Sequence, residues 1–336
     1  MKKPRSKVPE IDLKEPAFIV GAPRSGTTLI SVILDAHSQI AILPETHYFT
    51  KYWKSCRNEA CLQDPASYRR FIQRLLDSRD FQDLRLSIEE HKALEQAWMG
   101  LDGPDHGKVF ACMLNAYRIK SGKPRVGEKT PGHIAYVPYI ADLFPDAKFI
   151  YMLRDPRDVF LSWTRMPGDR GNAFNFALRW RWYVHLVESY KARGYRLFVI
   201  RFEDLLTGTE STLRKLCRYL ELPFEPGILS HEQTDSSVFD SEREPWKKKS
   251  LEAIDASNIN KWRTELGDAE LAVIQMITKT GMEANGYEVS SIRPTLFSLA
   301  AVFRIVLIGG LLELRKFLTR PGGKLRRLLN TGEKPA

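Results

Sequence analysis

Short apolar runs alternate with amphipathic stretches along most of this 336-residue chain. Ala17–Gly21 (AFIVG) is an apolar run ending in glycine, which predicts a buried strand. Gly26–Ala36 follows with Leu29, Ile33 and Leu34 at helical spacing, and Ile40–Leu43 predicts a second short strand. Arg125–Glu128 predicts a third strand, and Gly132–Phe144 a helix closed by Pro145. Ala147–Leu153 (AKFIYML) is the clearest buried strand. Pro156–Arg165 opens with proline in its first turn, as helix starts prefer. Phe174–Arg193 predicts a long aromatic-rich helix, Arg196–Phe202 a strand, Thr209–Leu220 a helix, and Gly267–Asn285 a helix ending at Gly286. Strands that alternate with helices predict an α/β fold, a parallel sheet covered on both faces. In such sheets ligands bind beyond the carboxyl ends of the strands.

Composition sharpens this only in places. The formal net charge is +10, and 43% of residues are apolar, ordinary for a globular chain. From Ile292 to Ala336 there are nine Lys/Arg against two Glu, so +7 of that charge sits in one tail. A basic balance implies an anionic partner without naming it; a nucleic acid is not expected. Cys56, Cys61, Cys112 and Cys217 lack CxxC spacing, so the expectation is four free thiols and no zinc cage. The opening MKKPRSKVPEIDLKEP is basic without an apolar core of signal-peptide length, which reads as cytoplasmic.

Two stretches carry the chemistry. GAPRSGTT, Gly21–Thr28, fits G-x-x-x-x-G-x-[ST] directly after a predicted strand. Such a loop turns successive N–H groups into one concavity at the positive end of a helix, a cradle for phosphate or sulfate. Phosphate loops that hydrolyse nucleoside triphosphates carry lysine where this chain has Thr27, and Arg24 lies inside the loop instead. That substitution counts against magnesium-dependent triphosphate chemistry. The second stretch, KFIYMLRDPRDVFLSW, Lys148–Trp163, places Arg154 at a strand end and Ser162 on the helix after it. An arginine fork there suits an anion; Arg157 and Asp158 read as charges of the helix start.

Together the two motifs resemble the PAPS-dependent sulfotransferase family, whose donor is 3′-phosphoadenosine 5′-phosphosulfate. GAPRSGTT resembles the 5′-phosphosulfate loop, and RDPRDVFLS the 3′-phosphate motif. The resemblance runs from Ala17 to about Arg263 and is nearest the bacterial and tyrosylprotein branch. It implies a three-layer, P-loop-like fold over residues 1–290, with a helical acceptor-side insertion at about 50–122; the charge and apolar pattern of residues 291–336 separately reads as a basic amphipathic helical tail. The resemblance implies that Ser25, Gly26, Thr27 and Thr28 hold the 5′ side, with Arg24, and that Arg154 and Ser162 hold the 3′-phosphate. Glu45, in ILPETHYF, falls on the catalytic glutamate of the tyrosylprotein-type branch; His47 is the alternative base. Lys129, in VGEKTPGH, falls on a lysine that contacts the transferring group. Phe202 stands where the family often has tyrosine, as a face near adenine, and Lys261 in NKWR is a phosphate contact of the late Lys-Trp segment.

The reading is therefore metal-free transfer of a sulfuryl group to an acceptor hydroxyl or amine, on a metabolite, lipid or glycoconjugate. A P-loop small-molecule kinase and an inactive nucleotide-binding protein remain alternatives. Acceptor specificity is expected in Trp53–Lys120 and in the Met166–Ala177 loop. Tyr48, Phe49, Tyr52 and Trp53 are either stacking surfaces or core aromatics. Leu296–Leu314 is nearly as long as a membrane span, but Arg304 and Glu313 interrupt it. It reads equally as a helix lying on an anionic membrane surface and as one packed against protein.

Overall fold

The computed structural model describes residues 13–56, 60–166, 172–234, 236, 238–291 and 296–319. The basic lead, most of the loop in Met166–Ala177, and the segment after Thr319 thus lie wholly or largely outside the described residues. Two compact units are present, one from the described parts of Met1–Arg154 and Leu186–Ala256, the other from those of Asp155–His185 and Ser257–Ala336.

The first unit is built on five parallel strands: β1 (Ala17–Gly21), β2 (Ile40–Leu43), β3 (Arg125–Lys129), β4 (Lys148–Leu153) and β5 (Leu197–Arg201). Their order is β2-β3-β1-β4-β5, with β1 central. The register pairs Ile19 with Lys129 on one side and with Ile150 on the other. Every residue of β1, β2 and β4 is buried. Burial on both faces explains why these strands are continuous apolar runs rather than alternating ones. Helices flank the sheet, as the alternating pattern requires. α1 (Thr27–Asp35) follows β1, and the insertion contributes α2 (Pro65–Leu76), α3 (Ile88–Met99) and α4 (His106–Ser121). These three start where their caps dictate: Asp64 before Pro65, a Ser87–Glu90 capping box, and Asp105. Phe110 of α4 stacks on Phe18 of β1, closing the core.

Residues 132–144 form two pieces rather than one helix. A 3₁₀ segment at Pro131–Tyr136 gives way to α5 (Val137–Leu143). Pro138 lacks the N–H that would continue one ladder through this point, and it sits in the first turn of α5 instead. β5 likewise ends one residue early, and Phe202 opens α8 (Phe202–Thr207), which leads into α9 (Thr209–Leu220); α6 (Pro156–Thr164) and α7 (Ala173–Ala192) precede them. Tyr48, Phe49 and Tyr52 are core aromatics, with Tyr48 and Phe49 packed on Phe110.

The four free thiols of the sequence reading are not all free. Cys56 and Cys61 form a disulfide, with Cα atoms 5.7 Å apart, while Cys112 and Cys217 are buried thiols. A five-residue separation matches no metal or redox motif, so nothing local announced the pairing.

In the second unit, α10 (Asp268–Ala284) packs beside the tail helix α11 (Leu296–Thr319). α11 also meets the start of α7. Asn172 donates to the carbonyl of Ile305 (2.9 Å), Asn175 donates to that of Gly309 (3.1 Å), and Gly309 lies against Phe174. One face of the tail helix therefore packs on protein.

Alkylation without reductant, read by mass spectrometry on the unfolded chain, should modify Cys112 and Cys217 and spare Cys56 and Cys61. Closing so short a loop constrains the unfolded chain by about 2 kcal/mol. Reduction should lower the unfolding midpoint accordingly.

Candidate active site

Each strand of the first unit brings a candidate residue to its carboxyl end. β1 leads into the Arg24–Thr28 loop, β2 to Glu45, β3 ends on Lys129, β4 precedes Arg154, and β5 precedes Phe202. Parallel strands open on one edge, and β1 lies where the order switches, with β3 and β4 on either side.

The loop has the form of an anion cradle. Gly26 caps α1 in the left-handed region, at φ 91°. A Cβ there would stand 2.4 Å from Cδ2 of Phe202, so both the backbone angle and the space demand glycine. Arg24 holds φ 74°, a strained conformation for a residue with a Cβ. Ser25 is 1% exposed, and its hydroxyl has no hydrogen-bond partner. A buried hydroxyl left unsatisfied beside the free N–H groups of a helix start is a site built for an oxygen-rich anion. Thr27 is buried and Thr28 half-buried on the same turn.

Two guanidinium groups face this loop. Arg24 Nη2 donates to the Trp246 carbonyl (3.2 Å), and Arg154 Nη1 donates to the Arg24 carbonyl (3.2 Å). Burial, and then the like charge of Arg154, lower the Arg24 pKa. The Arg154 guanidinium lies 4.2 Å over the Phe202 ring. Phe202 thus serves as a wall that supports Arg154 and presses on Gly26. An anion would relieve the mutual repulsion of the two arginines.

Beside the loop lies a compact charge cluster. Lys129 Nζ and Lys247 Nζ both donate to Oε1 of Glu45, at 2.6 and 2.9 Å. His47 Nε2 is 3.5 Å from Oε2. Lys247 also pairs with Glu244 at 2.6 Å. Burial alone would push the Glu45 pKa up; the two lysines outweigh it and hold the group well below the ordinary carboxylate range. Lys129 is fully buried, and burial lowers its pKa despite Glu45. Burial also opposes the charge on Lys247, but Glu45 and Glu244 prevail and raise its pKa. His47 is lowered, chiefly by burial. Glu45 is thus the ionised group, and His47 the neutral neighbour.

A second carboxylate fixes the geometry. Glu128 is fully buried; it accepts from Thr46 N (3.3 Å), Thr46 Oγ1 (2.9 Å), Thr130 Oγ1 and His133 Nδ1 (3.0 Å). His133 Nε2 in turn accepts from Phe49 N (3.3 Å), and Thr130 Oγ1 from His47 N (3.2 Å). Residues 46–49 are stitched to the end of β3, so the backbones at Glu45 and Lys129 keep one relative position.

Ser162 and Lys261 belong to the second unit. Ser162 is half-buried on α6; Lys261 donates to Asn258 Oδ1 (3.0 Å). Arg157 and Asp158 do more than start a helix there. Asp158 accepts from the backbone of Asn260 (2.8 Å) and Trp262 (2.9 Å). Arg157 stacks 3.6 Å over Trp262 and bonds Asp155 and Gln275. The two motifs RDPRD and NKWR are clasped together.

Sequence reasoning missed Lys247 and the role of Glu128. Lys247 opens the run Lys247–Lys249, which reads as a solvated charge run; Lys247 is 8% exposed, while Lys248 and Lys249 are exposed. Glu128 stood one residue from a candidate, but only its burial gives it a role.

A model of the sulfotransferase family matches residues 16–226, well over half of the chain. A protein of Aquifex aeolicus described only as uncharacterized is 25% identical over 74% of this chain and 30% of its own length. The protein-tyrosine sulfotransferase A of Caenorhabditis elegans is 26% identical over 64% of this chain and 52% of its own length. The chain thus spans about half the length of the nematode enzyme and less of the Aquifex protein. Among solved structures, the sulfotransferase domain from the curacin biosynthetic pathway superposes with a TM-score of 0.57 at 22% identity. It covers 83% of this chain and 99% of that domain, a shared fold.

Gly26→Ala should lose anion binding at the loop and more than about 2 kcal/mol of stability, since the new Cβ meets Phe202 in a left-handed backbone. Thermal unfolding with and without a nucleotide bisphosphate reads both losses; a variant as stable and as ligand-responsive as wild type would contradict the geometry.

Proposed function

The chain belongs to the sulfotransferase family, and from that footing we propose that it moves a sulfuryl group from PAPS to an acceptor hydroxyl or amine by in-line transfer. The observation that carries the reading is the unpartnered, buried Ser25 hydroxyl in a loop that only glycine can complete, beside Arg24 and Arg154. These groups fit a donor with charged oxygens at its 5′ end. Ser25 to Thr28 and Arg24 would hold that end, and Arg154 the 3′-phosphate. Bound there, the donor supplies the sulfuryl group, whose bond to the 5′-phosphate breaks as the acceptor bond forms, leaving adenosine 3′,5′-bisphosphate. Side-chain cations meet the charge requirement, so the proposed transfer is independent of metal.

Glu45 takes the acceptor proton. In its resting pairing it is a weak base, because two lysines share one of its oxygens. Among the described residues Lys129 ion-pairs with Glu45 and feels Glu244 at longer range, whereas Lys247 ion-pairs with both. Lys129 is therefore the cation free to turn toward an incoming anion. When it does, Glu45 loses one partner, becomes more basic, and stays ionised and in place through Lys247. Lys247 acts here as a positioning residue.

We propose a metabolite, lipid or glycoconjugate as acceptor. The tyrosylprotein relatives supply one competitor, a protein tyrosine hydroxyl, and a sulfate-transfer screen over both classes separates them. A P-loop kinase would need magnesium and ATP, and Thr27 in place of lysine disfavours it.

Calorimetry with adenosine 3′,5′-bisphosphate, metal-free, should show binding that ATP with magnesium does not match; binding of ATP alone would overturn the donor assignment. Arg154→Ala should weaken the bisphosphate more than an analogue lacking the 3′-phosphate. Glu45→Gln should lower turnover roughly 10²–10⁴-fold with bisphosphate binding retained. Removing Lys247 removes a cation that depresses the Glu45 pKa, so the acid limb of kcat/KM for Lys247→Met should move to higher pH by about one unit. Lys247→Arg should restore it. A slower Lys247→Met enzyme with an unmoved acid limb would leave Lys247 a packing role alone.

A further inference from the structure

α11 presents two different faces. Its inner face holds Gly309 against Phe174 and meets Asn172 and Asn175. Its outer face carries Leu299, Phe303, Leu307, Leu311, Leu314 and Leu318, each 41% to 70% exposed. Their spacing of four, four, four, three and four residues draws one continuous apolar stripe along the helix. An amphipathic helix packed on its own protein ordinarily turns such a stripe inward; this one turns it out. Scattered exposed leucines need no explanation, but an aligned row does.

The charge beside the stripe narrows the occupant. Arg304 and Arg315, both exposed, directly follow Phe303 and Leu314 and so flank the stripe on one side. The sequence beyond Thr319 adds Arg320, Lys324, Arg326, Arg327 and Lys334 against one Glu333. A second copy docked on this face about a two-fold axis would bring the same basic flank and tail together, an arrangement that like charges oppose. A bilayer with anionic headgroups satisfies both features, since leucine and phenylalanine enter the acyl boundary while arginine stems reach up to the headgroups. No helix among the described residues is long and apolar enough to cross a membrane. We propose that the outer face of α11 seats the protein on the surface of an anionic membrane, lying in the interface rather than spanning it.

The test is co-sedimentation of the full chain with phosphatidylcholine vesicles, with and without phosphatidylserine. Wild type should bind the anionic vesicles at least tenfold more tightly than the neutral ones, and lose binding as salt rises. Phe303→Asp with Leu307→Asp should weaken binding tenfold or more. Both side chains are exposed, and unchanged circular dichroism together with unchanged bisphosphate binding should report an intact fold. Arg304→Glu, a milder change, should weaken binding to anionic vesicles while sparing the residual neutral binding. Vesicle binding that the double variant leaves intact would overturn the proposal. So would a concentration-dependent dimer, abolished by the same variant, in a chain that ignores vesicles.

Discussion

A single carboxylate oxygen holds two lysines, and the first unit is arranged around that fact. Lys129 is fully buried, and burial works against its charge. It can remain a cation there because Oε1 of Glu45 lies 2.6 Å away. Glu45 in turn stays ionised in a dry setting because Lys247 arrives from a distant segment. The ends of β2 and β3 and the Pro245–Leu251 turn are therefore tied at one point. Breaking a partly buried cluster of this kind costs more than any one contact is worth, because it leaves the remaining charges uncompensated. The Glu128 network removes the remaining freedom by stitching residues 46–49 to the end of β3.

The same electrostatics prepares the site for an anion. Arg24 and Arg154 crowd the glycine loop, and the strained backbone of Arg24 keeps them there. The buried Ser25 hydroxyl, beside the helix start at Gly26, has no hydrogen-bond partner among the described residues. In the proposed reaction an oxygen-rich ligand would meet that hydroxyl and compete with Glu45 for Lys129. On that proposal, ligand capture and activation of the base would be two sides of one redistribution of positive charge.

The second unit follows a different logic. Its buried charges serve architecture, with Arg157 stacked on Trp262 and Asp158 gripping the backbone of residues 260–262. Its tail helix meets the start of α7 through Gly309, Asn172 and Asn175, and leaves Leu299, Leu307, Leu311, Leu314 and Leu318 exposed.

Alternating apolar runs and amphipathic stretches were enough to predict the parallel sheet, because strands buried on both faces must be apolar throughout. The same rule made the site edge legible, since residues at the ends of parallel strands share one edge whatever the loops do. That rule and the family resemblance together singled out Glu45, Lys129, Arg154 and the glycine loop, all of which lie at strand ends. Burial and pairing were not legible, because they depend on segments far apart in the chain. Of three adjacent lysines, the fold alone chose Lys247 to reach Glu45, and it set Phe202 against Gly26 and Arg154. It also joined Cys56 to Cys61 and faced the tail stripe outward. Local pattern is set by neighbours along the chain and can be read from them. Which charge is dry, which thiol meets its partner and which face of a helix is covered are set by atoms brought together only when the chain has closed.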